Sequence, residues 1–150
     1  MVIFIFIKLK ELFEQGRNYP WKKPNKCPRC ESCRLWGHGY VRICFDGFSE
    51  PLLIKRNRCP DCHCVMHFRP KGYFKRIQAS KKKIRNCLSG KEKYGKWNPS
   101  ISRTRQRRWQ KNLTLKITAY IGNTWEKSLL KGFNYLLFKE PLYIPVSCLT

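Results

Sequence analysis

The sequence predicts a small α+β protein, in which a cysteine-rich part built from β-hairpins is followed by a basic all-α part of two to three helices. Two observations lead to this prediction. Two Cys-Pro-x-Cys motifs enclose a stretch with hairpin alternation, and the later residues combine many Lys and Arg with apolar residues at helical spacing. We expect an apolar N-terminal segment with a linker (1–23), the cysteine-rich part (24–70), the basic helices (71–140) and a tail (141–150).

The N-terminal segment is apolar but short. Ile3, Ile5 and Ile7 alternate as in a strand, whereas Leu9 and Leu12 continue at helical spacing, so the pattern leaves the type of element open. The stretch is far shorter than the ~20 residues of a membrane span and lacks a basic start and a cleavage site. We expect a packing segment rather than a targeting sequence or a membrane-surface helix.

A β-hairpin is predicted between the two cysteine motifs. Residues 40–45 alternate, Asp46-Gly47 is a turn dipeptide, and residues 52–56 can return antiparallel. Pro51 has no N–H to donate, so we expect it at a strand start or edge.

The paired cysteine motifs predict a metal site. Each motif holds two sulfurs near one point, and the hairpin would bring the pairs together, which gives the four thiolates of a tetrahedral Zn²⁺ site. Such a closed site leaves no position for a catalytic water. The predicted ligands of this zinc ribbon are Cys27, Cys30, Cys59 and Cys62.

Other residues near the motifs could replace a ligand or bind a second metal. Cys33, Cys64, His63 and His67 are close enough in sequence for this alternative. Cys44 lies in the predicted hairpin, where a lone cysteine is usually a small buried hydrophobic residue.

The helical part is strongly basic. Between residues 69 and 111 there are sixteen Lys or Arg and one acidic residue, Glu92. A basic helix is predicted over 74–88, closed by Ser89-Gly90, and a second follows a cap at Ser100 or Ser102 and stops at Gly122-Asn123. A last helix, capped by Thr124, ends before Pro141, and the pattern fits either a helix-turn-helix or a plain mini-bundle. The residues predicted to contact nucleic acid are Lys81, Lys82, Lys83, Arg103, Arg105, Arg107, Arg108 and Lys111.

The formal net charge of +23 indicates a polyanionic partner. A zinc ion with four thiolates would lower this charge only by two. We expect the partner to be nucleic acid, with duplex DNA as the leading interpretation, and we expect no membrane or small-molecule substrate. The aromatic residues interleaved with the cations either stack on bases or pack inward. The nine cysteines are odd in number and mostly clustered, which is typical of metal binding in a reducing compartment such as the cytoplasm.

The cysteine-rich part resembles a known family. Residues 24–30 (PNKCPRC), 37–40 (GHGY) and 56–62 (RNRCPDC), followed by Phe68, are similar to the N-terminal zinc ribbon of insertion-sequence transposases and their short orphan relatives. The resemblance covers about residues 24 to 70, and ribosomal and transcription-factor ribbons share its spacing. It implies recognition of element DNA ends by the ribbon and following helices, with a transposase or a second copy as partner.

The sequence predicts no enzyme. Two-metal nuclease chemistry needs clustered carboxylates, whereas both Asp residues lie within the ribbon and only three Glu follow Phe68. We therefore expect a DNA-binding fragment or accessory protein of a mobile element. Two alternatives stay open, a zinc-ribbon protein that binds RNA or the ribosome and an adaptor that binds protein.

Overall fold

The computed structural model describes residues 1–123, 125 and 128–139, and it has the predicted α+β class. The chain divides into two compact units. Within the described residues, the first unit contains Met1–Ser80 and the second begins at Lys81. The tail predicted over 141–150 and the cap predicted at Thr124 lie outside the described residues.

The first unit is built on a four-stranded sheet. Its strands are β1 (Val2–Ile5), β2 (Trp36–Ile43), β3 (Leu52–Arg58) and β4 (Val65–Pro70), in the order β1-β4-β3-β2. β3 is antiparallel to both β2 and β4, whereas β1 is parallel to β4. A short helix, α1 (Leu9–Gln15), follows β1.

The predicted hairpin is confirmed. Tyr40 pairs with Lys55 and Ile43 with Leu52, and a bulge interrupts β2 between Gly37 and Tyr40. Pro51 lies directly before β3, where its missing N–H removes no ladder bond. The connection is a loop rather than a two-residue turn, because residues 44–51 lie between the strands.

The N-terminal segment contains a strand followed by a helix, so both periodicities seen in the sequence are present. Ile3 pairs with Phe68 of β4, and both side chains are buried. Leu12 of α1 is buried in the same core. This core also contains Leu35, Phe45, Leu52, Ile54 and Met66.

The second unit contains three helices, α2 (Lys81–Tyr94), α3 (Arg103–Ile121) and α4 (Leu129–Lys139). α3 begins and ends as predicted, because the Ser102 hydroxyl accepts a hydrogen bond from the Arg105 N–H and Gly122 takes a φ of 81° at the C-terminal end. Buried side chains from all three helices form the core: Ile84, Cys87, Leu88, Trp109, Leu113, Ile117, Phe133 and Leu136.

The helix predicted over 74–88 is wrong in its bounds. Phe74 and Ile77 are buried, but residues 74–80 form turns in the first unit, and Tyr73 makes a β-bridge to Ser80. The helix starts at Lys81 and continues through Ser89-Gly90. Glycine only weakens a helix interior, by about 1 kcal/mol relative to alanine, so it does not have to end one.

Candidate metal centre

Four cysteine sulfurs converge at one point of the first unit. The Sγ atoms of Cys27, Cys30, Cys59 and Cys62 all lie within 4.8 Å of one another. Two of the sulfur–sulfur distances are 3.6 Å (Cys27 to Cys62) and 3.5 Å (Cys30 to Cys59). Zn–S bonds of ~2.3 Å in a tetrahedron place sulfurs ~3.8 Å apart, so the four thiols fit a tetrahedral metal ion. The structure thus places the predicted ligands together.

The sheet brings the two motifs together. Trp36, at the start of β2, pairs with Arg58, the residue before Cys59. The first motif lies just before β2 and the second lies between β3 and β4. The register of the β2–β3 pairing therefore sets the positions of both motifs. The buried positions of Cys27 and Cys59 anchor the site in the core, whereas Cys30 is exposed.

Both motifs have the same backbone turn. The Cys27 N–H donates to the Ser32 carbonyl at 2.8 Å, and the Cys59 N–H donates to the Cys64 carbonyl at 3.0 Å. The residue after each second cysteine takes a positive φ, 60° at Glu31 and 56° at His63. Positive φ values favour glycine, so a Glu and a His at these positions do not predict the turns.

Asp61 links the two motifs across the site. Its carboxylate accepts a hydrogen bond from the Ser32 hydroxyl and forms an ion pair with the Arg34 guanidinium. These two partners lower the pKa of Asp61, the Ser32 hydrogen bond most strongly. This link could not be predicted from the sequence, because Ser32 and Arg34 are ordinary polar residues and only the folded hairpin brings them to Asp61.

The thiols differ in acidity. Backbone N–H groups, that of Cys62 foremost, lower the pKa of Cys59 to about 7. The Ser32 N–H favours the Cys30 thiolate, but desolvation and the neighbouring thiols outweigh it and raise the pKa of Cys30 to about 12. Four sulfurs this close cannot all be negative without a cation among them, and a divalent ion would supply that charge.

The other candidate ligands lie outside the cluster. Among the described residues, the group able to hold a metal contains only the four cysteines, without Cys33, Cys64, His63 or His67. The His63 Nδ1 instead lies 3.4 Å from an Arg58 guanidinium nitrogen. The expectation that Cys44 is buried is wrong: the residue is exposed, because β2 ends at Ile43 and Cys44 begins the loop.

Most of the predicted nucleic-acid contacts are at the surface of the second unit. On α3, Arg103, Arg107 and Lys111 recur every four residues and are exposed, as is Arg108. Lys82 is exposed at the start of α2, between the half-buried Lys81 and Lys83. Arg105 is half-buried, and its guanidinium lies 5.0 Å from the centre of the Trp109 ring.

The interleaved aromatic residues divide into two groups. Phe74 and Trp109 are buried, so neither ring is available to a base. Tyr94 is 65% exposed, and the Lys93 ammonium lies 5.2 Å from its ring centre. Inward packing therefore accounts for some of these rings and not for others.

Comparisons with protein-family models, with curated proteins and with solved structures found no match to this chain. In the described part of the chain, no helix is both long enough and apolar enough to cross a membrane.

Proposed function

We propose that this chain is a non-enzymatic zinc-ribbon protein that binds duplex DNA, with a structural Zn²⁺ in the first unit and phosphate contacts on the second. The observation that carries the proposal is the convergence of the Cys27, Cys30, Cys59 and Cys62 sulfurs. Four thiolates in a tetrahedron favour zinc or an iron–sulfur cluster. The two motifs lie at the ends of one hairpin and bring their four sulfurs together, as in structural zinc sites.

The charge distribution supports a nucleic-acid partner. Four exposed cations, Arg103, Arg107, Arg108 and Lys111, lie within about 12 Å along the axis of α3. A helix of this kind can neutralise several phosphates, which gives binding that falls steeply with salt. The formal charge of +23 leaves these cations with few acidic groups to balance them.

The proposed biological setting is a mobile element in the cytoplasm. The resemblance of residues 24–70 to transposase ribbons supports an accessory or fragment role, and the three Glu residues after Phe68 are too few and too scattered for a nuclease core. The unpaired cysteines of the described chain fit a reducing compartment.

The metal is tested with a matched pair of cysteine variants. We expect the wild-type protein and Cys33→Ser to bind one zinc per chain, because Cys33 lies outside the cluster. Cys27→Ser removes a buried ligand and should lose the metal together with the fold of the first unit, since zinc supplies on the order of 10 kcal/mol in small zinc modules. Elemental analysis and near-UV circular dichroism measure both effects. Full zinc content in Cys27→Ser would contradict the ligand assignment.

Nucleic-acid binding is tested through its salt dependence. Replacing the exposed Arg107 and Arg108 with Ala should flatten the plot of log K against log salt by about 0.9 per lost phosphate contact. Replacing the exposed Lys10 and Arg17 of the first unit is the matched control and should leave the slope unchanged. Equal slopes for both double variants would exclude this face of α3, and tighter binding to folded RNA than to duplex would favour the RNA alternative.

A further inference from the structure

A groove of about 280 Å³ lies in the first unit, whereas the proposed duplex contacts are carried by helices of the second unit. It is bounded by the end of β1, by the segment 19–24 and by the end of β4. Its volume is just below the ~300 Å³ at which pockets for drug-sized ligands begin, so it suits one ring system. Four aromatic and three cationic side chains are among the residues that line it: Phe6, Tyr19, Trp21, Phe68, Lys22, Lys23 and Lys71.

The aromatic wall is held in place by the core. The Trp21 ring stacks on Phe68, with 5.5 Å between the ring centres and 7° between the planes, and Phe68 is 1% exposed. Tyr19 packs edge-on against Trp21 at 5.0 Å. The Trp21 Nε1 is buried and has no hydrogen-bond acceptor among the described residues.

The groove lining also contains an exposed aromatic ring beside a cation. Phe6 is 87% exposed, which is unusual for so large an apolar side chain. The Lys71 N–H donates to the Ile5 carbonyl at 3.0 Å, and the Lys71 ammonium lies 4.6 Å from the Phe6 ring centre. The sheet edge therefore fixes a ring and a positive charge side by side.

The positive charges that line the groove favour an anionic ligand. Lys22 and Lys23 are exposed, and the groove-lining residues include no carboxylate. Aromatic faces combined with cations are the usual means of binding unpaired nucleotides, because the base stacks on a ring while lysines contact the backbone. A paired base is already stacked on its neighbours and would first have to leave the duplex.

We propose that this groove binds one unpaired base of a single-stranded nucleic acid, with the adjacent phosphates on Lys22, Lys23 and Lys71. The inference rests on the proposed function in that the ligand is nucleic acid. It goes further by giving the first unit a contact for single strands, whereas the proposed duplex contacts lie on α3.

The test compares two exposed phenylalanines in the zinc-loaded full chain. Phe6→Ala removes the ring of the groove, and Phe138→Ala removes an 80% exposed ring of the second unit. Neither side chain is buried, so both variants should fold. The probes are a fluorescein-labelled oligo(dT), an abasic oligonucleotide of the same length, and a blunt duplex, each followed by fluorescence anisotropy.

We expect the wild type and Phe138→Ala to bind oligo(dT) at least about fivefold more tightly than the abasic strand, which has the phosphates without the bases. Phe6→Ala should lose this preference while keeping its duplex affinity within about twofold. Photocrosslinking of an iodouracil-substituted strand should label Phe6 or the segment 19–24.

The two proposals fail in different ways. Equal binding of oligo(dT) and abasic strand by the wild type, an unchanged preference in Phe6→Ala, or crosslinks confined to 81–139 would each overturn the groove assignment. If the wild type does not bind the blunt duplex but still prefers oligo(dT) to the abasic strand, only the proposed duplex function is overturned.

Discussion

Gln106 joins the start of α3 to the loop before it. The side chain is 1% exposed, and its amide oxygen accepts from the Asn98 N–H at 3.1 Å. Its amide nitrogen donates to the carbonyls of Asn98 and Ile101, both at 2.7 Å. One buried amide therefore makes three hydrogen bonds to backbone groups of this loop, two of which, the Asn98 N–H and the Ile101 carbonyl, have Gln106 as their partner, whereas the Asn98 carbonyl also accepts from the Ile101 N–H.

Replacing Gln106 with Leu keeps a similar volume but removes all three hydrogen bonds. We expect a loss of about 2–3 kcal/mol in the unfolding free energy of the second unit, because the half-buried Asn98 N–H and Ile101 carbonyl lose their hydrogen-bond partner. Gln110→Leu, at an exposed position of the same helix, should change it by less than about 0.5 kcal/mol. Urea denaturation followed by helical circular dichroism measures both. Equal stability of the two variants would mean that the loop does not depend on the Gln106 amide.

Single residues were predictable where their chemistry is local. The four clustered cysteines follow from the spacing of two short motifs. The cap of α3 was predicted as Ser100 or Ser102 from their position before residues with helical apolar spacing, and the structure shows Ser102. Gln106 and Asp61 could not be found in this way. Their partners are backbone carbonyls of a loop and side chains from the other motif, which only the tertiary fold brings near.

At the scale of elements, α3 and α4 approach closely at a glycine. A Cβ placed on Gly132 of α4 would lie 2.7 Å from Cδ1 and 3.0 Å from Cγ2 of Ile117 on α3. Ile117 is fully buried, so it has little room to move away. Gly90 in α2 is also a helical glycine, but a Cβ there meets nothing within 4 Å.

The same substitution should therefore have opposite effects at these two positions. Gly90→Ala should stabilise the second unit by about 0.5–1 kcal/mol through helix propensity. Gly132→Ala gains the same propensity but forces Ile117 to shift, and overpacking costs about 1–3 kcal/mol, so we expect no gain or a net loss. Thermal unfolding of the two variants distinguishes the effects. Equal stabilisation by both would show that the contact between α3 and α4 is loose.

Helices and strands could be predicted from the sequence where the spacing of apolar residues matched a single periodicity, that of a strand or that of a helix. The hairpin and α3 have clear alternation or helical spacing with turn and cap residues at their ends. The start of α2 was missed because Phe74 and Ile77 have helical spacing although they belong to turns of the first unit. The parallel pairing of β1 with β4 was not predicted either, since nothing in residues 2–5 identifies a partner more than sixty residues away.

At the scale of the whole molecule, each unit has a core of its own. The core of the first unit buries residues from the sheet, from α1 and from both cysteine motifs. All four cluster cysteines lie in this unit. The second buries Trp109, Leu113, Ile117 and Phe133 among three helices, without any of the cluster cysteines. A metal ion can therefore stabilise the first core directly and the second only indirectly.

Removal of the metal should accordingly unfold the chain in part. After chelation, we expect the amides of β2, β3 and β4 to lose at least about tenfold in hydrogen-exchange protection, because metal binding supplies folding free energy to the unit that contains the ligands. The amides of α3 should keep their protection, since their hydrogen bonds and their apolar contacts lie within the second unit. Hydrogen exchange read by mass spectrometry separates the two sets, with zinc-saturated chelator as the control. A parallel loss of protection in α3 would mean that the two cores fold as one cooperative body, whereas full retention in the sheet would mean that the first core is stable without its metal.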